Sequence, residues 1–98
     1  MILRVNEMGL AQAGTRMIEQ GVQGIAQSSA ALAPATAISP AGVDEVSAFA
    51  AEGFAVHTTA MQTTNVVAQQ EIALYGGVLL EASASYAASD AAGAAIVL

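Results

Sequence analysis

The stretch that decides the fold is Ala33-Pro34-Ala35-Thr36-Ala37-Ile38-Ser39-Pro40-Ala41-Gly42-Val43-Asp44-Glu45-Val46-Ser47. Proline has no N–H to donate inside a helix and disfavours helix at the residue before it. Pro34 and Pro40 therefore predict a loop over 33–39, with helical sequence on either side. Beyond the loop, Ser39 reads as an N-cap with Pro40 at the first helical position. Asp44 and Glu45 then fall near the first turn, where the helix dipole favours acids.

Towards the N-terminus, Met8, Ala11, Thr15, Ile18, Val22, Ile25, Ser29 and Leu32 recur at steps of three and four. That spacing predicts one apolar helix face over about residues 7–32. Gly9, Gly14, Gly21 and Gly24 lie inside it. Each glycine weakens an isolated helix by about 0.5–1 kcal/mol relative to alanine. Close backbone approach to a neighbouring helix is the expected compensation.

Towards the C-terminus a second helix is expected over about residues 40–83. Val46, Ala50, Gly53, His57, Ala60, Thr64, Val67, Glu71, Leu74 and Val78 form its stripe, widened along one edge by Phe54, Met61, Ala68, Tyr75 and Ala82. Phe49, Val56 and Ile72 lie off the stripe. Gly76-Gly77 predicts a bend or a close contact. Residues 83–98 are small and Gly/Ser/Ala-rich, and fraying or disorder is expected there. No alternating pattern or hairpin dipeptide supports a strand.

The expected fold is all-α: an antiparallel two-helix hairpin occupying residues 1–85, followed by a flexible C-terminal tail over 86–98. A lone hairpin has one seam, which uses one stripe on each helix. The second helix carries apolar residues on more than one face, and exposed apolar surface marks a binding site. The hairpin is thus expected to complete a four-helix bundle with a partner.

Composition narrows the function. The chain is 55% hydrophobic but only 4% aromatic, with no tryptophan, and alanine supplies the largest share. Alanine forms helix readily but buries little area, and apolar stabilisation scales with area. The net charge of −6, with Arg4 and Arg16 as the two cations, argues against nucleic acid and against an anionic lipid surface. Cysteine is absent, which excludes disulfides and thiol chemistry. Residues 1–7 lack a basic segment leading into a long apolar run, so no Sec-type signal peptide is expected. No segment is long and apolar enough to predict a membrane span.

No residue pattern supports catalysis. His57 is the sole histidine and has no convergent partner for a metal. Glu71 shares its stripe and reads as an edge carboxylate or an ion-pair partner. Ser28, Ser29 and Ser47 have no triad arrangement, and the glycines follow no phosphate-loop or dinucleotide pattern. No enzyme activity, cofactor or metal is expected.

Taken together, these features resemble the PE domain of mycobacteria. The resemblance covers nearly the whole chain: a short entry, an Ala-rich helix, the proline-bounded loop, Asp44-Glu45-Val46-Ser47, and a long second helix. Ser85-Tyr86-Ala87-Ala88-Ser89-Asp90-Ala91-Ala92 is similar to the family's Tyr-x-x-x-Asp/Glu export motif. The Pro-Glu pair that names the family reads Asn6-Glu7 here, and the chain resembles the short members without a Gly-rich or enzymatic extension. The resemblance implies a heterodimer with a PPE protein and export by a type VII secretion system and its chaperone. It implies a secreted or cell-surface location after cytoplasmic synthesis, with Tyr86 and Asp90 as the secretion motif. Ile18, Val22, Ile25, Phe54, Met61, Leu74 and Val78 are the expected seam and partner surface. The alternative is a Trp-x-Gly-type secreted hairpin acting as a homodimer; the missing tryptophan counts against it.

Overall fold

The computed structural model describes residues 4–97, and the outermost positions of the expected domain and tail, 1–3 and 98, lie outside them. The described chain is two helices, α1 (Glu7–Thr36) and α2 (Glu45–Val97), joined by residues 37–44. It is all-α, as the sequence predicts.

Each helix starts on a side-chain cap. The Asn6 Oδ1 accepts the Gly9 N–H at 2.9 Å, and the Asn6 carbonyl accepts the Leu10 N–H at 2.9 Å. Asn6, the residue standing where the family motif has proline, is therefore the N-cap of α1. At the second start, Asp44 Oδ2 accepts the Ser47 N–H at 3.1 Å and Asp44 Oδ1 accepts the Ser47 hydroxyl at 2.7 Å. The helix thus begins at Glu45 rather than at Pro40 as expected. A carboxylate placed three residues ahead of a free N–H outcompetes the Ser39-Pro40 pair.

α1 also ends later than expected, because Pro34 lies within its last turn. Near a helix end one missing N–H removes a single bond. The Thr36 hydroxyl donates to the Leu32 and Ala33 carbonyls at 3.0 and 3.1 Å, and the Ala37 N–H also donates to Ala33 at 3.1 Å. At the other extreme, α2 continues to Val97 through the stretch expected to fray. Alanine's helix propensity carries it.

The chain divides into two compact units, each built from part of α1 and part of α2: Met1–Gly21 with Glu71–Leu98, and Val22–Gln70. In the first, the Ser83 hydroxyl donates to the Glu7 carbonyl at 2.7 Å, and Gly14 faces Gly76. Rising numbers on α1 meet falling numbers on α2, so the pairing is antiparallel. A Cβ at Gly14 would stand 2.6 Å from the Gly76 carbonyl oxygen, and one at Gly76 would stand 2.5 Å from that of Gly14. Only glycine permits this approach, which is the compensation expected for glycine inside a helix. In the second unit, the Gln62 amide donates to Ser28 Oγ at 3.0 Å and Ser29 Oγ at 3.4 Å, and the Gln69 side chain covers Gly24. The order is again antiparallel.

The inward face of α2 differs from the expected stripe. Ile72, Gly76, Leu79 and Ser83 turn towards α1 in the first unit, and Ala51, Ala55, Thr58, Gln62, Asn65 and Gln69 do so in the second. All ten residues of the expected stripe, Val46 through Val78, are exposed. On α1 half of the expected face is correct: Ala11, Ile18, Ile25 and Leu32 are part-buried, whereas Met8, Thr15, Val22 and Ser29 are exposed. Small and amide-bearing residues allow close approach along the seam, with Ile72 and Leu79 of α2 and Ile18, Ile25 and Leu32 of α1 part-buried beside them, while the expected α2 stripe stays outside. Among the described residues no hydrophobic side chain is fully buried.

Candidate functional site

Two features stand out on this scaffold. The first is the outward side of α2. In the Val22–Gln70 unit, Val46, Phe49, Phe54, Val56, Met61 and Val67 are exposed, with Phe54 at 63%. In the other unit, Leu74, Tyr75 and Val78 are exposed, with Leu74 at 64%. Of the expected partner residues, Val22, Phe54, Met61, Leu74 and Val78 are exposed, whereas Ile18 and Ile25 are part-buried in the hairpin seam. Phe49, Val56 and Tyr75 join the exposed set; Phe49 and Val56 lie off the expected stripe, and Tyr75 lies on its widened edge.

The second feature is a cleft in the first unit lined by Arg4, Val5, Tyr86 and Asp90. Because α2 persists to Val97, Tyr86 and Asp90 lie one turn apart on the same helix face. Tyr86 is 47% exposed, so its phenol is accessible. Arg4 and Val5 come to this cleft from the entry segment. The sequence offered only Arg4's charge as a signal, and no spacing tied it to residue 86.

Another hollow, in the Val22–Gln70 unit, is lined by Ser28, Ala31, Leu32, Ala35, Thr58, Met61, Gln62 and Asn65. It is an apolar groove with polar edges. His57 and Glu71 are both exposed on α2. Among the described residues no three His, Cys, Asp or Glu side chains could hold a metal together. No helix there is long and apolar enough to cross a membrane.

Electrostatics single out one carboxylate away from these features. The Ser47 hydroxyl, then the Ser47 backbone N–H, hold Asp44 below the ordinary carboxylate range. This is capping rather than catalysis.

The sequence model of the PE family matches residues 3–93. The chain belongs to the PE family. It is 35% identical over 86 residues to the PE family protein PE13 of Mycobacterium tuberculosis, covering 88% of this chain and 87% of that one. It is 38% identical over 87 residues to the uncharacterized PE family protein PE35 of Mycolicibacterium smegmatis, covering 89% and 90%. The PE family immunomodulator PE35 of M. tuberculosis is 31% identical over 80 residues, covering 82% of each chain. No solved structure matches this PE chain significantly.

Proposed function

We propose that this PE chain is a non-catalytic subunit that pairs with a PPE protein and is exported with it through a type VII secretion system. One observation carries the pairing. Large apolar side chains occupy the outward side of α2 in both units, while no hydrophobic residue has a fully buried place within the described chain. Exposed apolar surface of this kind is stabilised by a second pair of helices. Val22, Phe54, Met61, Leu74 and Val78 supply the contacts, with Phe49, Val56 and Tyr75 beside them. Family membership supports the choice of a PPE protein as occupant. Tyr86 and Asp90, on one exposed turn of α2, serve as the secretion motif read by the secretion machinery. The protein is synthesised in the cytoplasm and acts outside it or at the cell surface.

The test is affinity capture of the tagged protein from a mycobacterial host, followed by size-exclusion chromatography and mass spectrometry. A 1:1 complex with a PPE protein is expected. A stable homodimer would reject the pairing and favour the Trp-x-Gly-type reading. Phe54→Asp and Val22→Asp should abolish capture, because both positions face outward and the hairpin seam does not use them. An unchanged yield of complex would sink the assignment of this surface.

A further inference from the structure

The start of α1 at Asn6 and Glu7 is held in a defined place. Asn6 caps α1 through the Gly9 and Leu10 N–H groups. The Ser83 hydroxyl donates to the Glu7 carbonyl at 2.7 Å and ties the start of α1 to α2 just ahead of Tyr86. These two anchors leave Arg4 and Val5 lining one cleft with Tyr86 and Asp90. The cleft therefore presents a guanidinium, a carboxylate, a phenol and a valine together. In a chain of net charge −6 with two cations, one of them lies at this carboxylate-bearing turn.

We propose that Arg4 is a recognition residue of the same export element, so that the surface read during export is composite: segment 4–5 and the Tyr86–Asp90 turn of the folded hairpin. This rests on the export reading of Tyr86 and Asp90 given above. The occupant is a protein segment of the secretion machinery carrying both signs of charge, an acid for Arg4 and a base for Asp90, with an apolar group over Val5 and the Tyr86 ring. A two-signed cleft discriminates among partners because a segment of one sign meets repulsion at one wall.

The experiment follows the exported fraction of the full chain, co-produced with its partner in its native host, for Arg4→Ala, Arg4→Lys, Tyr86→Ala and Asp90→Ala. Complex yield on capture and thermal melting of the purified complex are measured in parallel. Arg4→Ala should reduce the exported fraction by roughly fivefold, the effect of losing one partly exposed charged contact, with complex yield and melting unchanged. Arg4→Lys should retain most export. Wild-type export by Arg4→Ala overturns the inference, as does loss of complex or a lowered melting point, either of which would make Arg4 structural. Equal loss in Arg4→Lys and Arg4→Ala overturns the charge-based account. Wild-type export by both Tyr86→Ala and Asp90→Ala removes the motif reading itself, a failure distinct from one confined to Arg4.

Discussion

In the unit formed by Met1–Gly21 and Glu71–Leu98 the helices meet through their backbones, with Gly14 against Gly76 and a hydroxyl on the Glu7 carbonyl. In the Val22–Gln70 unit they meet through side-chain amides, with Gln62 on two serines and Gln69 over Gly24. The first contact has no room for an added atom. The second depends on atoms already there, and beside it lies the open groove lined by Leu32, Thr58, Met61 and Asn65. One fold thus uses two kinds of seam, and they should fail under opposite changes.

The largest effect is expected at Gly76. Gly76→Ala places a methyl 2.5 Å from a backbone oxygen that has nowhere to move. Despite alanine's better helix propensity, it should destabilise the hairpin by about 1–3 kcal/mol, read as a lower denaturant midpoint. A neutral result would mean that the helices separate there at little cost. Next comes Gln62→Ala, which removes a part-buried cross-helix hydrogen bond and should lower stability by about 1 kcal/mol. If it matches Gly76→Ala in size, the contrast between the two seams is wrong.

Asp44→Asn probes the start of the second helix. Asp44 lies below the ordinary carboxylate range because the Ser47 hydroxyl and N–H bind its charged form. Its contribution is therefore complete above the unfolded carboxylate value of about 3.9. It is lost as the pH falls through the lower folded value. Acid titration of helicity should show this loss in the native chain and not in Asp44→Asn. The smallest effect is expected at Gly77, next to the crowded glycine but with nothing within 4 Å of an added Cβ. Gly77→Ala should raise stability by about 0.5–1 kcal/mol through backbone entropy and propensity. A loss there in the isolated chain would contradict the open space.

The hairpin was legible because Pro34, Pro40 and Asp44 punctuate an alanine-rich sequence. The start of α2 was misplaced by the presence of two competing caps, and only the geometry of Asp44 and Ser47 separates them. The inward face of α2 was hidden for a different reason. Periodicity locates apolar residues, yet Ala51, Ala55, Thr58, Gln62 and Gly76 face inward because they are small or can bridge, not because they are greasy. Tyr86 and Asp90 were found by family resemblance. Their neighbour Arg4 could not be found, because the residues between positions 4 and 86 carry no pattern that links the two ends.

The lack of any fully buried hydrophobic side chain among the described residues has a thermodynamic consequence. Unfolding the chain alone hydrates less new apolar surface than unfolding a domain with a buried core, so its heat-capacity increment per residue falls below the roughly 12–15 cal/mol/K of ordinary globular domains. The isolated chain then has a shallow stability curve and a weak denaturant dependence. In the proposed pairing, most of the curvature and steepness would belong to the complex, and a calorimeter would register the partner chiefly as added heat capacity.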